Sequence, residues 1–236
     1  MKKQILLSAG ALSLALSSSF VQAAEFTVSV QNLTQGIHFT PLLVAAHPSK
    51  NTLFKAGYSA SPALQAMAEG GALTGLTADL DAISGQYIAN PAGGLLAPGK
   101  STTTTTINTH DSKNQYLSVV AMMLPTNDGF IGLSNYPIPK HAGTYTININ
   151  GYDAGTEAND EIINGGGAPG TAGIPAAPGG DGGKNATGAA AADTNTKVHI
   201  HRGVLGDTDA NGGISDLDSR IHRWLNPVAR VTITVK

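Results

Sequence analysis

Thr126-Asn127-Asp128-Gly129-Phe130-Ile131-Gly132-Leu133-Ser134 and Gly151-Tyr152-Asp153-Ala154-Gly155-Thr156-Glu157-Ala158-Asn159-Asp160 bracket the segment whose reading decides the fold. Between them, Thr144 to Asn150 places Tyr145, Ile147 and Ile149 at every second position. That period of two predicts a half-buried strand flanked by two acidic loops. Just upstream, Tyr116 to Leu124 (YLSVVAMML) is the most apolar run after the N-terminal leader. It has the length and Val/Leu content of a central strand, bounded by Asn114 and Pro125. If the two strands belong to one sandwich, the loops that follow them can meet at one end. Hard cations such as calcium take several oxygen ligands, and carboxylates and amides on such loops supply them.

Outward from this centre the pattern stays β. Glu25 to Leu33 alternates Phe26, Val28 and Val30 against polar positions, and Ala229 to Val235 alternates Val231, Ile233 and Val235. Ile37 to Ala46 is an apolar segment interrupted by Pro41, which suits an edge or a bulged strand. Ser101 to Ile107 is a Thr-rich, half-exposed strand, and Lys197 to Arg202 is another strand. Ser61 and Pro62 before Ala63–Glu69, with Gly70-Gly71 after, punctuate one helix, and Thr77 to Ile83 a second short one. Both read as connections outside the core. The whole predicts an all-β fold, an antiparallel β-sandwich of about eight strands with one or two short helices.

Residues 1–23 have the form of a signal peptide: Lys2 and Lys3, the apolar stretch Ile5 to Leu16, and Val21-Gln22-Ala23 before the cleavage point. The expectation is an exported protein, periplasmic or secreted, whose mature domain spans 24–236. No later segment is apolar enough to span a bilayer. With 13% charged residues and a net charge of −2 there is no basic stripe for a nucleic acid. The chain has no cysteine, so a domain working outside the cytoplasm would depend on its core or on bound ions rather than on disulfides. Residues 164–196 are rich in Gly, Ala and Pro without periodicity, and read as a flexible insertion held by few contacts.

Several segments together resemble the spondin-type domain family: Phe39-Thr40-Pro41, Pro125 to Gly132, Tyr152 to Glu157, and Asn226 to Val231. The resemblance implies an antiparallel sandwich similar to calcium-dependent lipid-docking domains, with a calcium ion in the loops at one end. It places Asp128, Asp153 and Glu157 at the family's ligand positions. Family members that carry Asp where this chain has Glu157 present a shorter arm. Vertebrate members also carry cysteines and neighbouring domains that this chain lacks, so their matrix and cell-surface partners do not transfer automatically.

Two further constellations stand beside this one. Asp207-Thr208-Asp209-Ala210-Asn211-Gly212 through Asp218 follows the calcium-loop pattern of EF-hands, with Asp207, Asp209, Asn211 and Asp218 as candidate ligands of a second ion. Its helical context is missing, and a polar Asp/Gly loop explains it as well. His199 and His201 fall on one face of a strand, and with His222 they offer imidazoles suited to zinc or copper, or simply a polar face. Ser134 and Ser215 lack a nucleophile-elbow context. The functional reading is an exported, non-catalytic, calcium-binding recognition or adhesion module, with a protein or glycan ligand. The alternatives are a metal-dependent hydrolase using the same acidic loops and a self-assembling surface or matrix component.

Overall fold

The structure, a computed structural model, describes residues 25–110, 112–190 and 192–236. The leader 1–23 and the cleavage point after it lie outside the described residues. Eleven strands form the sheet. In chain order they are β1 (Glu25–Asn32), β2 (His38–Phe39), β3 (Leu43–His47), β4 (Gln86–Ala89), β5 (Ser101–Thr103), β6 (Ile107–Asn108), β7 (Tyr116–Leu124), β8 (Gly129–Pro137), β9 (Gly143–Asp153), β10 (His199–Ile200) and β11 (Ala229–Val235). Helices α1 (Pro62–Gly70) and α2 (Thr74–Ala82) lie between β3 and β4. The hydrogen-bonded path runs β4-β3-β7-β8-β9-β11-β1-β5, every pair antiparallel, with β2, β6 and β10 as side branches on β7, β1 and β9.

The path folds over at β9. Its first part, Gly143–Ile149, pairs with β11, and its last part, Asn150–Asp153, pairs with β8. One layer is therefore β5/β6-β1-β11-β9 and the other β4-β3-β7-β8-β9, which makes the expected sandwich. Phe26, Val28, Val30, Val231 and Ile233 from the first layer meet Val44, Leu117, Val119, Ala121 and Ile131 from the second. The alternation read in β1 and β11 is this inner face; the outer face of that layer is polar.

Strand β7 is buried on both faces because α1 and α2 cover the far side of the second layer. Leu64, Met67, Leu76 and Leu80 pack there on Val120, Met122, Leu43 and Phe130, forming a second core. The helices are thus part of the core, not connections outside it. The start and stop signals of α1 act as read: Ser61 Oγ accepts from Leu64 N at 3.1 Å, and Gly71 adopts φ 72 at the C-cap. Helix α2 begins at Thr74, before the expected Thr77, and has no side-chain cap.

Strand β8 was invisible to periodicity. Gly129, Gly132, Ser134 and Asn135 are poor strand formers, but their smallness is what the packing demands. A Cβ at Gly132 would sit 2.4 Å from the Phe54 ring. Phe54, Phe130 and Tyr152 cluster over that position, their centroids 4.9–5.6 Å apart.

The insertion 164–196 is not held by few contacts. Ile174 is fully buried in the main core. Carboxylates of the body accept from its backbone: Glu69 from Gly170 N at 2.7 Å, Glu157 from Gly173 N at 3.0 Å and Asp216 from Ala186 N at 3.2 Å. Glycines cannot supply an apolar face, but their bare N–H groups can approach buried carboxylates, and those bonds take the place of periodic packing.

Candidate metal centre

The β7–β8 turn and the end of β9 build the acidic end. Thr126 closes the turn, its Oγ donating to Met123 O at 2.5 Å and accepting from Gly129 N at 3.0 Å. Gly129 pairs with Asp153 across β8–β9, so Asp128 and Asp153 become neighbours despite their distance in sequence. Asp153 thus ends a strand instead of standing on a loop. Gly155 turns the chain at φ 69, where a Cβ would come 2.6 Å from Lys197 N, so only glycine fits.

Asp128 is fully buried. Its Oδ2 accepts from Thr156 N at 2.7 Å, Thr156 Oγ at 3.2 Å and Glu157 N at 3.2 Å, while Oδ1 has no partner. Asp153 Oδ1 accepts from Gly155 N, and its Oδ2 from Asn159 Nδ2, both at 2.8 Å. Glu157 Oε2 accepts from Gly173 N and, at 3.4 Å, from Asn127 Nδ2; its Oε1 is buried without a partner. Burial, reinforced by the Asp153 charge, pushes the Asp128 carboxyl up to about 7 against the pull of its N–H donors. Burial also pushes Glu157 up to about 7, opposed by the Gly173 N–H and reinforced by the charges of Glu69 and Asp128.

The three residues read as ligands therefore share one end, but they do not converge as a set. Asp128 is the middle member, felt by both Asp153 and Glu157, while Glu157 turns toward Asn127, Gly173 and Glu69. The donor set is chemically right for a hard cation, being all oxygen, with two buried carboxylate oxygens that lack any donor.

In the second loop, Asp207 and Asp218 do come together, in a parallel bridge. Their oxygens are engaged. Asp207 accepts from the N–H groups of Asp209, Ile214 and Ser215 at 2.8–3.0 Å. Asp218 is clasped by Arg220, which holds its carboxyl down to about 2. Asp209 accepts from Asn211 N at 3.0 Å. A cavity of about 20 Å³, room for a single small occupant, remains between this loop, Asp181 and Asp216. His222 Nδ1 accepts from Asp218 N at 2.9 Å and so serves the closing turn of the same loop.

Sequence reading missed residues that the fold brings in. Glu69 and Asn127 are buried beside Glu157, and Asn159 joins Asp153 to Asp193. Glu161, buried at φ 59, accepts from Leu205 N, Gly206 N and Ser215 Oγ. The amide at 159 lay within the acidic run and the acid at 161 one residue past its end; Asp193 was hidden in a low-complexity segment. Among the described residues no helix is long and apolar enough to cross a membrane.

A family model described as Spondin_N matches residues 25–161, more than half of the chain. The match takes in both acidic clusters and stops before the glycine-rich insertion, so Asn226 to Val231 lies beyond it. No curated protein matches the chain.

Proposed function

The chain belongs to the Spondin_N family, and from that premise we propose that it is a calcium-stabilised, non-catalytic recognition or adhesion module acting outside the cytoplasm. One observation carries the reading: Asp128 Oδ1 and Glu157 Oε1 are buried carboxylate oxygens with no donor. A buried acceptor without a partner is costly, and a cation or a proton relieves it. Calcium suits the all-oxygen surroundings, and its charge would turn the Asp128–Asp153 repulsion into attraction. In this reading Asp128 and Asp153 hold the ion, Glu157 assists, and the ion fixes the loops that present the binding surface. We take the ligand to be a protein or a glycan, and export rests on the character of residues 1–23.

The test is calorimetric titration of chelated protein with calcium. Wild type should bind; Asp128→Asn should lose binding most, because Asp128 is the member that both other carboxylates reach; Asp218→Asn should bind as wild type does. Loss of binding in Asp218→Asn alone would move the ion to the 207–218 loop.

A further inference from the structure

Among the described residues, one group of three metal-binding side chains brings its ligand atoms within 4.8 Å of one another: Asp153, Asp193 and His199. Two different parts of the fold supply it. Strand β10 pairs with the end of β9 so that His199 stands opposite Asp153, its Nδ1 3.7 Å from Asp153 Oδ1. Nδ1 donates to Lys197 O at 2.8 Å, which fixes the tautomer and leaves Nε2 as the nitrogen that can take a metal. The insertion returns from its far end to deliver Asp193, which Asn159 ties in: its Nδ2 donates to Asp153 Oδ2 at 2.8 Å and to Asp193 Oδ2 at 3.3 Å. A half-turn of that amide would present its oxygen at the same place and add an oxygen donor.

A second observation comes from His201, two residues along the same face. It is buried to 2% exposure, and its Nδ1 accepts from Gly203 N at 3.0 Å. That bond places the ring proton on Nε2, and Nε2 has no partner. The ring lies within electrostatic reach of Asp153, His199 and Asp193 alike. Its Cδ2, the atom bonded to Nε2, is 3.1 Å from where a Cβ on Gly129 would be, and Gly129 is the register partner of Asp153. A buried N–H donor with no acceptor thus stands beside a carboxylate–imidazole cluster. Water held on an ion in the cluster would supply the missing acceptor.

We propose that Asp153, Asp193 and His199 form a site for a divalent transition metal of the zinc class, completed by water that accepts from His201 Nε2–H. One imidazole and two carboxylates are ligands zinc takes, and three protein ligands plus water is the arrangement of an open zinc site. Calcium, which takes oxygen ligands, gains nothing from the imidazole. Arg202, the competing positive charge nearby, reaches both His201 and Asp193. It is outweighed by two carboxylates, one of which, Asp193, also accepts from the N–H of Asn195 at 3.1 Å. The site goes beyond the calcium reading and shares only Asp153 with it.

The experiment titrates chelated protein with zinc against a chromophoric competitor, and with cobalt(II) for its visible absorption. Wild type should bind one zinc per chain and give the intense visible bands of low-coordinate cobalt. His199→Ala and Asp193→Asn, both at half-exposed positions, should each weaken zinc at least tenfold and lose those bands, with melting in chelator unchanged. Asp128→Asn and Glu157→Gln should keep zinc while losing calcium, so failure of either site is seen separately. Zinc affinity unchanged in His199→Ala, or a cobalt spectrum indifferent to that substitution, would overturn the assignment.

Discussion

Asp128→Asn should make the calcium-free protein more stable at pH 8 while removing its response to calcium. The Asp128 carboxyl is pushed from 3.8 to about 7 by burial and by Asp153. An acid whose pKa is higher in the folded state holds its proton more tightly there. Its contribution is complete below the unfolded value and is lost as pH rises through the folded one. Chelated wild type should therefore lose stability between pH 3.8 and about 7 and stay flat above. The full shift corresponds to ~4 kcal/mol at ~1.4 kcal/mol per pH unit, which water entry into a loop site reduces to about 2–3 kcal/mol. An Asn oxygen can keep the bonds from Thr156 and Glu157 that Oδ2 now accepts, and its NH₂ takes the place of the unpartnered Oδ1 and removes the charge that Asp153 repels. The variant in chelator should thus escape Asp128's share of the loss, keep the share of Glu157, and melt about 4–12 °C above wild type at pH 8, at ~2–4 °C per kcal/mol for a domain of this size. Calcium at a hundred times its dissociation constant should raise the wild type by ~2.7 kcal/mol and the variant not at all. Thermal melts at pH 5, 6, 7 and 8, with chelator or calcium, read both effects. A chelated wild type whose melting point is level across that range, or a variant less stable than wild type in chelator at pH 8, would refute the reasoning.

Two further predictions concern the insertion. Ile174→Ala empties a fully buried core position and should cost ~2–5 kcal/mol in urea unfolding; a loss under about 1 kcal/mol would mean that the insertion does not share the core. Glu161→Gln replaces one of the two oxygens that take Leu205 N, Gly206 N and Ser215 Oγ with an NH₂ that cannot accept. It should cost about 2 kcal/mol and open residues 203–219 to early proteolysis, whereas cleavage elsewhere first would show that this carboxylate does not hold the segment.

Strands whose burial is one-sided or continuous were legible along the chain. Phe26, Val28 and Val30 or Val231, Ile233 and Val235 carry their own period, and β7 its own apolar run, because each residue's burial there follows from the pleat. Ser61, Pro62 and Gly71 fixed α1 locally for the same reason: a cap is satisfied within a few residues. The family was legible in short motifs, and so was the nearness of Asp128 to Asp153, though it comes from the pairing of Gly129 with Asp153 across β8 and β9 and not from two loops meeting. Tertiary structure alone decided the rest. Gly132 is a strand residue only because Phe54 lies over it, and the helices join the core only because β7 needs a cover on its second face. Glu157 turns away from Asp153 because the N–H of Gly173 and the amide of Asn127 draw its carboxylate. The insertion has no period to read because buried carboxylates far away in sequence, Glu69, Glu157 and Asp216, hold its bare N–H groups. Hydrogen bonds between distant partners leave no periodic trace along the chain, so neither the packed insertion nor the arrival of Asp193 beside His199 could be seen before the fold was.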